Sequence, residues 1–214
     1  METKENINMY AFENELLADG YKLIAGMDEA GRGPLAGAVY TAMVIMPLDT
    51  EKIIQGVNDS KKLTEKQREK LFDEITKTAI AYAICPVDEQ TIDEVNILNA
   101  TRLGMQECLN NIKVKPDFCL VDYVNGLALD KPFKTIIKGD AKSYSIACAS
   151  ILAKVARDRY MQEMSKTYPN FGFEKHKGYG TKLHYEMIEK FGTLPIHRKS
   201  FLKNLGEHIG TSEE

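Results

Sequence analysis

Five short apolar runs constrain this chain more than any other feature. Residues 22–29 (KLIAGMDE), 36–46 (AGAVYTAMVIM), 79–86 (AIAYAICP), 117–122 (DFCLVD) and 133–138 (FKTIIK) are bounded by glycine, proline or polar clusters. Such runs predict strands rather than amphipathic helices. Helical stretches separate them. Thr64-Glu65-Lys66-Gln67 is a capping box and predicts a helix to about Lys77. Thr91-Ile92-Asp93-Glu94 repeats the pattern and predicts helix, with a break, to about Ile112. A helix from about Ala141 to Ser165 is rich in small residues (Ala147, Ala149, Ser150, Ala153, Ala156), which let neighbours approach closely and make it central. The order of elements predicts an α/β domain around a mixed sheet flanked by helices, followed by a helical C-terminal lobe. The expected divisions are an extension at 1–20 containing a short helix packed on the sheet, a main domain at 21–166, a helical portion at 167–205, and a flexible acidic tail at 206–214.

With 214 residues, 43% hydrophobic and 28% charged, the chain can bury one good-sized core. No apolar run is long enough to span a bilayer, so no membrane partner is expected. Residues 1–19 are acidic and lack the basic start and apolar middle of a signal peptide, which points to a cytoplasmic protein. Cys85, Cys108, Cys119 and Cys148 form no C-x-x-C pair and read as buried thiols rather than a zinc site. The net charge of −3 announces no nucleic-acid partner, but its distribution is uneven. Between 175 and 203 stand Lys175, Lys177, Lys182, Lys190, Arg198, Lys199 and Lys203 against Glu186 and Glu189. Such a stretch suits phosphates as well as it suits a solvated helix face.

The chemistry sits at strand ends. Asp28 and Glu29, Asp122, and Asp140 each follow an apolar run, where residues remote in sequence are brought side by side. Clustered carboxylates repel one another unless a cation joins them. Mg²⁺ or Mn²⁺, hard cations that take oxygen ligands, suit such a set. Two such ions roughly 4 Å apart can activate a water and stabilise the leaving oxygen of a phosphodiester. Each acid also has a bland reading: Asp140 as a helix N-cap, Asp122 as a solvated strand end, Asp28 and Glu29 as flanks of a turn. The neighbourhood favours metal-dependent phosphodiester chemistry, since MDEAGRGPLAG sets the acid pair beside a glycine-flanked arginine.

Four blocks, GMDEAGRGPLAGAV, NDSKKLTEKQREKLF, KGDAKSYSIACASILAKVARDRYM and YPNFGFEKHKGYGTKLHYE, resemble the ribonuclease HII family in the family's order, from about residue 21 to 201. The resemblance implies a ribonuclease H-like fold and a monomer. It implies that Asp28, Glu29, Asp122 and Asp140 are catalytic, metal-binding carboxylates. It implies that Gly31, Arg32 and Gly33 read the ribonucleotide 2′-hydroxyl, the group that separates RNA from DNA. It implies that Tyr179 stacks on the sugar that follows, although a core tyrosine is the alternative. Ser60, Lys61 and Lys62 match a segment expected to meet phosphate, with capping as the alternative for Ser60. His176, Lys177, Lys182 and Arg198 are expected to add backbone contacts, and Arg157 with Asp158 to be structural. The implied substrates are RNA/DNA hybrids and DNA duplexes containing ribonucleotides, cut on the 5′ side of the ribonucleotide to leave 3′-hydroxyl and 5′-phosphate ends.

Other readings compete. An actin-like ATPase would need a second glycine-rich phosphate loop, which the later half lacks, and Lys138-Gly139-Asp140 is no P-loop. A non-catalytic nucleic-acid binding module has no use for four carboxylates, which repel phosphates. A DNA-specific nuclease on the same fold differs only at Gly31-Arg32-Gly33 and Tyr179.

Overall fold

The computed structural model of the chain describes residues 8–203. Five strands, β1 (Ile24–Ala30), β2 (Val39–Ile45), β3 (Ala81–Val87), β4 (Phe118–Asp122) and β5 (Phe133–Ile136), form one mixed sheet in the order β3-β2-β1-β4-β5. β1 pairs antiparallel with β2 and parallel with β4, while β3 and β5 form the edges. Every predicted run therefore contributes a strand, with its ends shifted by at most three residues.

Helices cover both faces. On one face α4 (Ile97–Asn111) lays Met105, Cys108 and Leu109 against Ala25, Met27, Met43 and Val121. On the other, α2 (Glu65–Thr78) and α5 (Tyr144–Thr167) bring Leu71, Ile75, Ala147 and Ile151 against Ala42 and Val44. Pleat alternation assigns Ala25 and Met27 to the first face and Gly26 and Asp28 to the second. The small residues of α5 matter here. A Cβ on Gly26 would fall inside the backbone carbonyl of Ser145, so α5 rests on bare β1 backbone. All four cysteines are buried free thiols, as the sequence led us to expect.

The capping box at Thr64 is formed as predicted: its side chain accepts from Gln67 N, and the Gln67 side chain accepts from Thr64 N. The one at Thr91 is not. The cap of α3 (Glu89–Val95) is Asp88, whose carboxylate accepts from Thr91 N at 2.8 Å. Aspartate outranks the later threonine because it supplies a charged acceptor three residues earlier. The expected break falls at Asn96, where φ is +68° and the side chain caps α4. The long helix starts at Tyr144, capped by Ser143, so Asp140 is not its cap and lies in a short 3-10 turn, Gly139–Ala141.

The N-terminal stretch contains α1 (Ala11–Ala18), whose Leu16 joins Ile24, Leu120, Ile136 and Ile146 in a small core. Buried Glu13 of α1 accepts from Ser143 Oγ at 2.6 Å and Ser145 N at 2.9 Å, tying this helix to the start of α5. At the other end, α6 (Phe173–His176) and α7 (Lys182–Phe191) enclose a separate core of Phe171, Phe173, Ile188 and Ile196, which also takes in Leu35, Ala36 and Met161. The tail expected at 206–214 lies outside the described residues. Among those described, no helix is long and apolar enough to cross a membrane.

Candidate active site

The parallel pair β1–β4 assembles the site. Met27 lies opposite Val121, so Asp28 and Asp122 come one step further along neighbouring strands, where both runs end. Gly139 N donates to Asp122 Oδ1 at 2.7 Å and so holds the turn carrying Asp140 beside it. Asp28, Glu29 and Asp122 line a cleft of about 470 Å³ with Gly31, Arg32, Gly33, Ser60, Lys61, Ser150, Lys154 and Tyr179. Asp140 is buried next to this wall rather than part of it.

The electrostatics are those of a crowded acid cluster. Asp28 is 5% exposed. Burial, then the charges of Glu29 and Asp122, push its carboxyl well above the usual range, against hydrogen bonds from Ser150 and the Glu29 backbone. Burial raises Glu29 to about 7, although Arg32 opposes the shift from 3.4 Å. Asp140 is raised by burial and by Asp59 and Asp122. Lys61 answers the cluster. Burial works against its charge, yet Asp140, Asp28, Asp59 and Asp122 together raise it.

Does this donor set fit a divalent cation? Among the described residues, no three acidic, histidine or cysteine side chains close into a ready-made cage. The set is open, and that suits Mg²⁺, which keeps waters and binds through few carboxylates plus substrate phosphate. All the donors are hard oxygens, and buried Glu29 Oε2 has no hydrogen-bond partner. A desolvated carboxylate oxygen with no donor beside repelling acids is what a bound cation relieves. The residues fit the group.

Two loops complete the lining of the cleft beside the acids. The loop after β1 carries Gly31-Arg32-Gly33, and Gly31 has φ +96° and lies hard against the Arg157 side chain, leaving no room for a Cβ. The loop after α6 carries Tyr179, which is 44% exposed, and a Cβ on Gly33 would sit 3.7 Å from its ring. The core reading of Tyr179 is thus excluded.

Other expected contacts divide by burial. Lys61, Lys62 and Lys182 are exposed, and Lys177 is half-buried, its Nζ donating to Glu174 O at 2.6 Å. Ser60 is buried but lines the cleft, its Oγ 2.9 Å from Ser150 Oγ, while Asp59 caps its turn. Two assignments need correction. Arg198 is fully buried, and its guanidinium donates to the carbonyls of Gly31, Arg32 and Gly37 at 2.6–3.0 Å. It has no face left for a phosphate and instead shapes the glycine loop. His176 is buried with Nε2 2.7 Å from Phe171 O, and its Nδ1 accepts from Gly178 N. It braces the tyrosine loop from within.

Sequence reasoning passed over Lys154 and Ser150. Both stand on α5 facing the cleft, and Lys154 Nζ is held 2.7 Å from Asp158 Oδ1. Their four-residue spacing on one helix face is a signal the sequence did contain.

The family model for ribonuclease HII matches residues 25–204. The chain belongs to the ribonuclease HII family. It is 57% identical to the ribonuclease HII of Caldicellulosiruptor bescii over 205 residues, covering 96% of this chain and 98% of that one. In structure it is similar to the ribonuclease H2 of Pyrococcus horikoshii OT3, with a TM-score of 0.72, 29% identity, and coverage of 89% of this chain and 100% of that one. It also shares its fold with Bst-RNase HIII in complex with Mn²⁺, with a TM-score of 0.68, 15% identity, and coverage of 99% and 76%. As a ribonuclease HII, the chain is a hydrolase, an endoribonuclease acting on RNA/DNA hybrids, with the α/β ribonuclease H-like fold the sequence led us to expect. That membership selects the nuclease over the ATPase and the non-catalytic module.

Proposed function

We propose that this ribonuclease HII cuts on the 5′ side of a ribonucleotide, including one embedded alone in a DNA duplex, and leaves 3′-hydroxyl and 5′-phosphate ends. The observation that carries the reading is the juxtaposition of Asp28, Glu29 and Asp122 with Gly31-Arg32-Gly33 and Tyr179 in the lining of one cleft. Reacting phosphate and recognised sugar are adjacent groups of one nucleotide, so both must be met in the same space.

Asp28, Glu29, Asp122 and Asp140 would hold Mg²⁺ or Mn²⁺, and the Mn²⁺ complex of the similar Bst-RNase HIII supports a divalent cation in this fold. Such a cation lowers the pKa of water and neutralises charge on phosphate oxygens. The chain's own residues do the rest. The backbone of the glycine loop, exposed at Gly33, offers polar groups to the 2′-hydroxyl without a Cβ in the way. Tyr179 packs against the following sugar. Lys61, Ser60 and Lys154 flank the acids and suit the neighbouring phosphates, with Lys62, Lys177 and Lys182 further out along the duplex. The protein acts as a cytoplasmic monomer on ribonucleotide-containing DNA and RNA/DNA hybrids, with no membrane partner.

The test is cleavage of a labelled DNA duplex containing one ribonucleotide, with Mg²⁺, with Mn²⁺ and with chelator, beside an all-DNA duplex. Metal-dependent nicking only at the ribonucleotide is expected. Equal cutting of both duplexes would sink the 2′-hydroxyl reading and leave a general nuclease.

A further inference from the structure

The lobe that carries Tyr179 holds three buried histidines that the reaction itself does not use. Their hydrogen bonds fix every ring nitrogen. His197 Nδ1 accepts from Leu194 N at 2.7 Å, so its proton is on Nε2. His197 Nε2 lies 3.0 Å from His184 Nε2 and therefore donates to it. His184 must then carry its proton on Nδ1, which donates to the Tyr179 carbonyl at 2.9 Å. His176 stacks on His184 with ring centroids 4.6 Å apart. The relay runs from a backbone amide through two neutral imidazoles to the carbonyl of the residue exposed in the cleft.

The rest of that loop is anchored carbonyl by carbonyl. Lys177 O accepts from Arg157, Gly178 O accepts from Leu35 N at 2.8 Å, and Tyr179 O accepts from Thr181 N as well as His184. Gly178 has φ +83°, and a Cβ there would approach Ala36 O to 2.5 Å, so the loop is seated directly on the glycine loop after β1. His184 is the side chain that hydrogen-bonds the Tyr179 backbone, while the Arg157 guanidinium lies over the Tyr179 ring at 5.9 Å from its centroid. Which tautomer a histidine adopts is set by the bond its other nitrogen makes. Without the Nε2–H of His197, His184 is free to move its proton to Nε2 and present a lone pair to the Tyr179 carbonyl.

We infer that His184, locked in one tautomer by His197, is a positioning residue that aims Tyr179 at the sugar of the bound nucleic acid. The inference rests on the reading of Tyr179 as a substrate contact, and it adds what sets that contact's orientation. Because the relay ends on a backbone carbonyl rather than in the cleft, it acts on substrate fit and not on bond cleavage.

The experiment is a double-mutant cycle of His197→Phe and Tyr179→Ala, read as KM and kcat on the duplex containing one ribonucleotide. Alone, His197→Phe is expected to raise KM about tenfold with kcat little changed, and to do nothing further in the Tyr179→Ala background. His197→Gln, whose amide still accepts and donates, is expected to restore the parental KM and covers the case in which the phenylalanine variant fails to fold. Nitrogen-15 spectra of the imidazoles, recorded without substrate, should show Nδ1-protonated His184 in the parent and its loss in the phenylalanine variant. Multiplicative effects in both backgrounds, or an Nε2-protonated His184 in the parent, overturn the positioning role while leaving Tyr179 as a contact. A Tyr179→Ala enzyme with parental kinetics overturns the contact itself and the positioning role with it.

Discussion

The Arg198 guanidinium lies 2.7 Å from the Gly31 carbonyl, 167 positions away in sequence. The same side chain holds Arg32 and Gly37, and Arg157 holds Ala36 and Ala38 from the other side. Two buried arginines, partnered here by carbonyls, therefore set the conformation of the loop between β1 and β2. Arg157 also reaches Lys177 O, which couples that loop to the one bearing Tyr179.

Arg198→Met should consequently hurt twice. It keeps apolar bulk but leaves the Gly31, Arg32 and Gly37 carbonyls without their donor. The expected loss of stability is about 3 kcal/mol, read from urea unfolding. The folded fraction should also discriminate less between ribonucleotide-containing and all-DNA duplexes. Arg198→Lys should rescue neither, because one ammonium cannot span three carbonyls in a planar fork. A lysine variant with parental stability and selectivity would mean that the planar fork is not what holds the loop.

At the acid cluster, Asp28→Asn should separate stability from activity. Asp28 is buried beside Glu29 and Asp122, and its charge is costly there without a cation. In chelator the variant should be more stable than the parent while failing to cleave in any metal. Added Mg²⁺ should raise the parent's melting temperature and leave the variant's almost unchanged. Asp122→Asn and Asp140→Asn should likewise abolish turnover with the fold intact. Parental cleavage by any of the three removes that residue from the set.

How far the sequence led is clearest at particular residues. The strands and the Thr64 box were legible because hydrophobic period and capping are local. So was the clustering of candidate carboxylates, since a carboxylate ending an apolar run is visible without coordinates, and Asp28, Glu29 and Asp122 do line one cleft. Arg198 and His176 were not legible as interior residues. A basic side chain in a basic stretch looks solvated, and only the fold shows that the carbonyls of a loop more than 160 positions away require its donors. Asp88 displaced Thr91 as a cap by competition between neighbours that both score well. Lys154 sits among the small residues of α5, where a lone lysine on a helix reads as solvated.

Gly26→Ala tests the seating of α5 on β1. The added methyl would overlap the Ser145 backbone, which cannot move as a flexible side chain can. We expect a loss of about 3 kcal/mol. Because Asp28 is two residues along the same pleat and Ser150 five residues along α5 from Ser145, cleavage should fall as well. Gly56→Ala has open space around it and should not affect cleavage, although its φ of +83° strains an alanine there and lowers stability.

The histidine relay gives a pH dependence with a defined sign. Burial pushes His184 and His197 down to about 4, and the stacked His176 also disfavours charge on His184. The rings beside them are Phe171 and Phe173, and the polar atoms they meet are Tyr179 O and Leu194 N. In the unfolded chain a histidine titrates near its ordinary value of about 6.5, so below that pH the unfolded state takes up protons that the folded state refuses. Their stabilising effect is complete above about pH 6.5, falls away between about 6.5 and 4, and amounts to about 3 kcal/mol for one ring. Glu29, raised to about 7, works in the opposite direction, as it takes up a proton more readily folded than unfolded. The readout is therefore a difference, the urea midpoint of the parent minus that of His197→Gln at about pH 7, 5.5 and 4.5. Glu29 contributes equally to both proteins and cancels. A parental advantage that shrinks as the pH drops is expected, and a difference that stays flat across the window would mean that these rings are not held neutral by the fold.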